Sequence, residues 1–144
     1  MTGDSDKSRM QAGFSLDHVA ITVSDLEVSM DFYTTLFGFT CERMIEMPGN
    51  AGRIALLRRP DFTIEMFQFT GALPPAVPLN DLRVIGVRHF ALGVKDIRDA
   101  AAFLKEHGVE FISEPVTGAR GFDRCFIKDP DGIPIELTEG PGSV

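Results

Sequence analysis

Apolar and polar positions alternate with period two from Leu16 to Val23 (LDHVAITV), and the period changes at Ser24-Asp25, where helix N-cap chemistry begins. Leu26, Met30, Phe32 or Tyr33 and Leu36-Phe37 then recur at three- and four-residue steps, which predicts an amphipathic helix closed by Gly38 as a left-handed cap. Three strands are predicted next, near Phe39 to Met47, Arg53 to Arg59 and Phe62 to Phe69, divided by Pro48-Gly49-Asn50 and Pro60-Asp61. The same order returns in the second half. A strand over Gly86 to Val94 (GVRHFALGV) is followed by Asp96 as cap and by a stripe of Ile97, Ala100 or Ala101 and Leu104 that ends at His107-Gly108. Strands near Val109 to Ser113, Arg124 to Lys128 and Ile133 to Thr138 complete it, the last two joined by the tight-turn sequence Asp129-Pro130-Asp131-Gly132. Each half reads βαβββ. Gly71 to Leu82, with Pro74, Pro75 and Pro78, is predicted to be a semi-rigid extended linker between them.

Two His/Glu pairs occupy matching places in these halves. His18 and Glu65 stand 47 residues apart, as do His89 and Glu136 (65 − 18 and 136 − 89), and the second pair is the first displaced by 71 (89 − 18). Duplication is the economical explanation. Side chains two apart on a strand share a face, so Val19, Ile21 and Val23 are expected under the helix, with His18, Ala20 and Thr22 opposite. Phe90, Leu92 and Val94 sort the same way against His89, Ala91 and Gly93. Ile64 and Met66 likewise oppose Thr63, Glu65, Phe67 and Phe69, and Ile135 and Leu137 oppose Pro134, Glu136 and Thr138. All four ionisable residues therefore leave the helix-packed core, and the expectation is one concave surface on which two imidazoles and two carboxylates hold a divalent metal. Small neighbours, Ala20, Ala91 and Gly93, leave room in front of them.

Length and charge narrow the picture further. A chain of 144 residues suits one compact domain, expected over residues 14–140 as a module at 14–70, the linker at 71–82 and a module at 83–140, after a disordered tail at 1–13. Net charge is −7 with scattered Lys and Arg, which argues against a nucleic-acid binder. No apolar run approaches the ~20 residues of a membrane span and the start lacks the apolar stretch of a signal peptide, so a soluble cytoplasmic protein is expected. Cys41 and Cys125, outside any CxxC pair, are read as small buried apolar side chains.

The segments LDHVAITVSDLEVSMDFYTTLFGF, TIEMFQF, VRHFALGVKD and KDPDGIPIELTE resemble, as a set, the vicinal oxygen chelate superfamily, and the resemblance covers roughly Phe14 to Glu139. It implies an α+β fold of two tandem βαβββ modules forming a glyoxalase-like curved mixed sheet around a metal site. The ligands would be His18, Glu65, His89 and Glu136, around one ion of nickel, cobalt, manganese, zinc or iron. It further implies a metal-dependent isomerase, epimerase or lyase that moves a proton next to a chelated carbonyl or hydroxycarbonyl of a small substrate, with Glu65 or Glu136 as the base. Extradiol dioxygenases of this fold use two His and one carboxylate, so the fourth ligand Glu65 points away from them. Glyoxalase I carries an Arg and an Asn for glutathione four residues past its first and second ligands, where this chain has Thr22 and Phe69. Methylmalonyl-CoA epimerase typically has Gln where this chain has Glu65. A non-catalytic binding protein like the bleomycin-resistance proteins is the alternative class.

Around the four ligands, Thr22, Phe67 and Phe69 are candidates to line a substrate pocket, and Arg120, Phe122 and Arg124 belong to a loop able to hold an anionic group. Glu42 and Glu46 are further candidate bases by position only, and His107 is assigned to a helix end and not to the site. A homodimer is expected. The linker is long enough to set the second module beside the first, so all four ligands are expected from one chain.

Overall fold

A computed structural model describes residues 11–140, and the elements follow the duplicated pattern. The first half contains β1 (Val19–Thr22), α1 (Leu26–Phe37), β2 (Thr40–Glu46), β3 (Gly52–Arg59) and β4 (Phe62–Phe69). The second contains β5 (Phe90–Gly93), α2 (Ile97–Glu106), β6 (Phe111–Thr117), β7 (Asp123–Lys128) and β8 (Pro134–Glu139). Each half builds a four-stranded mixed sheet, in the orders β1-β4-β3-β2 and β5-β8-β7-β6. β1 runs parallel to β4 and β5 parallel to β8, while the remaining pairs are antiparallel. This is the α+β, two-module, glyoxalase-like fold expected from the sequence.

Matching hydrogen bonds hold the helices in both halves. Asp25 caps α1 through the Val28 N–H, and Asp96 caps α2 through the N–H groups of Arg98 and Asp99. The first helical amide donates across to the end of the last strand in each module: Leu26 N–H to Gln68 Oε1 at 3.0 Å, and Ile97 N–H to Glu139 Oε2 at 2.8 Å. Both bonds span 42 residues, and Leu26 and Ile97, like Gln68 and Glu139, are related by the same displacement of 71 (97 − 26 and 139 − 68). Gly38 ends α1 at φ 68°, the left-handed geometry read from its position.

The apolar faces meet in one core. Ile21, Val23, Leu26, Tyr33, Ile64 and Met66 from the first half join Ile97, Leu104, Cys125, Ile127, Ile135 and Leu137 from the second, with Phe62 and Phe90 packed against them at 5.6 Å between ring centroids. Burying each large side chain in that set contributes roughly 1.5–3 kcal/mol. A polar staple crosses the same interface. The Asp129 carboxylate, 5% exposed, accepts the Tyr33 hydroxyl at 3.0 Å and the N–H groups of Asp131 and Ile133 at 2.9 and 2.8 Å. Asp131 in turn accepts the Ser24 N–H at 3.0 Å, so the Asp129–Gly132 turn is bonded both to the residue two before α1 and to Tyr33 within it.

Several boundaries differ from expectation. β1 and β5 start at Val19 and Phe90 and not at Leu16 and Gly86, since their ladders to β4 and β8 begin at the matching pairs Val19–Ile64 and Phe90–Ile135. β6 runs on through Pro115 to Thr117 with two register shifts, a residue tolerated because β6 is an edge strand. The linker is not simply extended, since turns close at Pro78–Asp81 and Asp81–Val84. Cys125 is buried as expected, whereas Cys41 is exposed because β2 lies at the sheet edge with Thr40 to Met44 open to solvent. Residues 1–10 and 141–144, where most of the tail was expected, lie outside the described residues; Gln11 to Gly13 are exposed, and Gln11 accepts a turn bond from the Phe14 N–H. Among the described residues no helix is long and apolar enough to cross a membrane.

Burial holds the Asp129 carboxyl above the usual aspartate range, and its hydrogen bonds, Tyr33 among them, pull it back down. Tyr33→Phe removes one of those bonds without changing shape, and is expected to destabilise the fold by about 1–3 kcal/mol. An acid raised in the folded state is least costly when protonated, so the loss should be small in acid and grow as pH rises through the folded Asp129 pKa towards neutrality. Urea titrations of both proteins at acidic and neutral pH measure it, and a loss that shrinks as pH rises contradicts this account.

Candidate metal centre in two half-sites

Each module places its His and Glu side by side at the start of its parallel strand pair. His18 and His89 immediately precede β1 and β5, and Glu65 and Glu136 sit in β4 and β8 opposite Ala20 and Ala91. His18 Nε2 stands 3.3 Å from Glu65 Oε2, and His89 Nε2 stands 3.0 Å from Glu136 Oε2. Two ligands each about 2.1 Å from one ion and at right angles are roughly 3 Å apart, so both pairs have the bite of adjacent metal ligands. The second pair is the more enclosed, with side chains 26% and 19% exposed against 41% and 28% for the first.

The donors fit a divalent ion in kind and spacing, but one chain does not gather all four. No group of three or more metal-ligating side chains forms among the described residues. Both sheets contribute to one core, and the described residues bring each His to its own Glu without bringing the two pairs together. Where one four-ligand group on a concave surface was expected from a single chain, the structure shows two His/Glu pairs.

Other groups orient the histidines. Asp17 Oδ2 lies 2.6 Å from His18 Nδ1, an outer carboxylate of the kind that fixes tautomer and ring orientation in metal-binding histidines. That bond, opposed by a smaller effect of burial and helped by the Glu65 charge, holds the His18 imidazole above the ordinary histidine range. His89 meets Phe126 in a T-shaped contact, at 5.0 Å and 84°, and its buried Nδ1 has no hydrogen-bond partner among the described residues. Sequence reading passed over Asp17 and Phe126. Adjacency to His18 was the signal for the first, and the pairing of Phe126 with Glu136 across the ladder was the signal for the second.

The remaining candidates divide between the modules. Phe67 and Phe69 stack in parallel at 5.4 Å on the Glu65 face. Arg120, Phe122 and Arg124 line a cavity of about 190 Å³ with Glu136 and Thr138. Thr22 lies elsewhere, in a cavity of about 630 Å³ along β1 and the linker that His89 also lines but neither Glu65 nor Glu136 does. Glu42 pairs with Arg58 at 3.0 Å on the exposed edge. Glu46 lies in the outer strand β2, beside a different hollow with Arg53 and Gln68. His107 receives no site role either, being bonded through Nδ1 to the Phe103 carbonyl at 2.8 Å.

Two exposed apolar pairs complete the description. Phe14 and Leu16 are 79% and 86% exposed ahead of His18, and Ile85 and Val87 are 100% and 83% exposed ahead of His89. They are related by the same displacement of 71 (85 − 14 and 87 − 16), and they lead into β1 and β5, the strands that end their sheets. For the metal-free protein, Asp17→Asn is expected to bring the His18 titration down towards that of a free histidine, followed by NMR of the ring protons. An unmoved titration would show that Asp17 does not set it.

The comparisons with known proteins agree with this architecture. The family model described as the Glyoxalase/Bleomycin resistance protein/Dioxygenase superfamily matches residues 15–137. Among curated relatives, the uncharacterized protein YaeR of Escherichia coli K12 is 35% identical over 128 residues, spanning 85% of this chain and 93% of that protein. An ethylmalonyl-CoA/methylmalonyl-CoA epimerase of Cereibacter sphaeroides is 31% identical over 129 residues, with 86% and 96% covered. The crystal structure of a glyoxalase family protein from Enterococcus faecalis superimposes with a TM-score of 0.76 at 29% identity, covering 87% of this chain and 97% of that one. With the family model spanning most of its length, the chain belongs to the glyoxalase/bleomycin resistance protein/dioxygenase superfamily.

Proposed function

We propose that this protein is a divalent-metal-dependent isomerase, epimerase or lyase that works as a homodimer, with His18 and Glu65 of one copy completing a site with His89 and Glu136 of the other. The observation that carries the reading is the pair of equivalent His/Glu bites, 3.3 and 3.0 Å wide, each too small a donor set on its own. Two half-sites that one chain does not bring together find complements in a second copy. The twin exposed pairs Phe14-Leu16 and Ile85-Val87 beside the free edges of β1 and β5 supply apolar surface for that contact. A two-fold pairing in which each first half-site meets a second half-site yields two equal centres per dimer.

When bound, a divalent ion supplies Lewis-acid polarisation of a carbonyl and lowers the barrier to removing the neighbouring proton by several kcal/mol. Glu65 and Glu136 are the two candidate bases. Either carboxylate can take the proton from carbon and return it to the same carbon, for epimerisation, or to its neighbour, for isomerisation. Glu136, flanked by Phe126 and the more enclosed of the two, sits where water is best excluded. Relatives named epimerase and lactoylglutathione lyase support proton-transfer chemistry of this class. Thr22 and Phe69 stand where glutathione-binding side chains are expected in glyoxalase I, which favours a substrate other than a glutathione adduct.

Purified protein should contain about one divalent ion per chain, the ratio set by two four-ligand centres in a dimer. Glu136→Gln should lower metal content and abolish turnover across a panel of 2-hydroxycarbonyl, acyl-CoA and thiohemiacetal substrates. Survival of both metal content and turnover in that variant overturns the site. Metal-free wild-type protein that binds a small ligand without turnover would instead place it with the sequestering proteins.

Co-expressed His18→Ala and His89→Ala chains, purified as the mixed dimer, test the sharing. One centre then carries both substitutions and the other neither, so activity and metal content should return to about half of wild type, the ratio that two-fold symmetry dictates. A mixed dimer as inactive as either parent would place all four ligands in one chain.

A further inference from the structure

We infer that Arg124, with Arg120 beside it, forms an oxyanion subsite next to Glu136, so that the substrate is a small molecule bearing a carboxylate or phosphate group. The inference rests on the proposed role of Glu136 and names the substrate class for that site.

Four arginines elsewhere in this acidic chain are paired with carboxylates: Arg53 with Glu27, Arg58 with Glu42, Arg59 with Asp61 and Arg83 with Asp81. Arg120 and Arg124 instead lie over rings, with each guanidinium carbon 5.4 Å from the centroid of Phe122 and Phe126 respectively. Neither has a carboxylate or hydrogen-bond partner among the described residues. Arg124 pairs across the ladder with Thr138, and Phe126 with Glu136, so the guanidinium and the proposed base rise from the same face of the sheet two positions apart.

The surroundings make room for both groups. A Cβ on Gly118 would lie 2.5 Å from Arg124 Nε and 2.7 Å from its Cδ, so the absence of a side chain there lets the arginine stem rest on the backbone. A Cβ on Gly140 would lie 2.6 Å from Cγ of Phe122, and this second glycine seats the ring under Arg120. The cavity they enclose, about 190 Å³ with Glu136 in its wall, is the size of a substrate's end group and not of a whole cofactor. A planar guanidinium with free donors matches carboxylate and phosphate oxygens two at a time, and flanking rings reduce competition from water.

Calorimetric titrations of the metal-free full-length chain, each at a fixed ionic strength and repeated over a salt series, test this with malonate, methyl phosphate and neutral malonamide. One of the anions should bind with an affinity that falls as salt rises, and malonamide should not bind. Tighter binding of malonate identifies a carboxylate substrate, and tighter binding of methyl phosphate a phosphate. Arg124→Gln should weaken the anion by about tenfold or more, with part retained in Arg124→Lys, while metal content stays that of wild type. Glu136→Gln should bind the anion at least as well as wild type, since it removes a repelling charge, and this holds even if the metal centre is disproved. The inference is overturned if neither anion binds, if malonamide binds equally, if Arg124→Gln binds like wild type, or if Glu136→Gln abolishes binding.

Discussion

A buried carboxylate must be satisfied, and Asp129 meets that requirement by joining the two halves of the molecule. Its three hydrogen bonds come from the Tyr33 hydroxyl and from the Asp131 and Ile133 amides, so the turn of the second module is tied to the helix of the first across 96 residues of chain. Leaving any of those groups unpaired in the core would cost about 1–3 kcal/mol each. The same closure of the core sets where His18-Glu65 and His89-Glu136 lie, and among the described residues the two pairs stay apart.

Duplication then works at two scales. Within a module, Gln68 or Glu139 reaches from the end of the last strand to the first amide of the helix, which holds strand and helix in the orientation that presents His and Glu together. At the surface, the repeated exposed pairs Phe14-Leu16 and Ile85-Val87 stand ahead of the two His/Glu pairs in equivalent places. The copies have diverged where chemistry differs. Beside Glu65 the face carries stacked Phe67 and Phe69, whereas beside Glu136 it carries Arg124 and Phe126. The proposed site, assembled from these unlike halves, would have one apolar wall and one cationic wall, the asymmetry needed to orient a substrate with an apolar part and an anionic end.

The βαβββ order, the capping aspartates, the Gly38 helix end and the inward set Ile21, Val23, Ile64, Met66, Ile135 and Leu137 were legible in the sequence, as was the adjacency of each His to its Glu. These depend on periodicity and on register within a module, where side chains two apart share a face and a parallel pair sets Glu65 against the start of β1. Strand ends were less legible, since where β1 and β5 begin is set by the ladder to the strand each pairs with, and β6 runs on through Pro115 at the sheet edge. The exposed Cys41 followed from the edge position of β2, which composition does not reveal.

How the modules pack was decided by the tertiary structure alone. Linker length admits either a closed four-ligand site or two half-sites, because a flexible segment bounds distance but not orientation. The choice is made by contacts between residues far apart in sequence, Tyr33 with Asp129, Ser24 with Asp131 and Phe62 with Phe90, none of which leaves a local pattern. The chain's own order thus determined which residues form each half of the candidate site, and the contacts between the modules determined how far apart the halves lie.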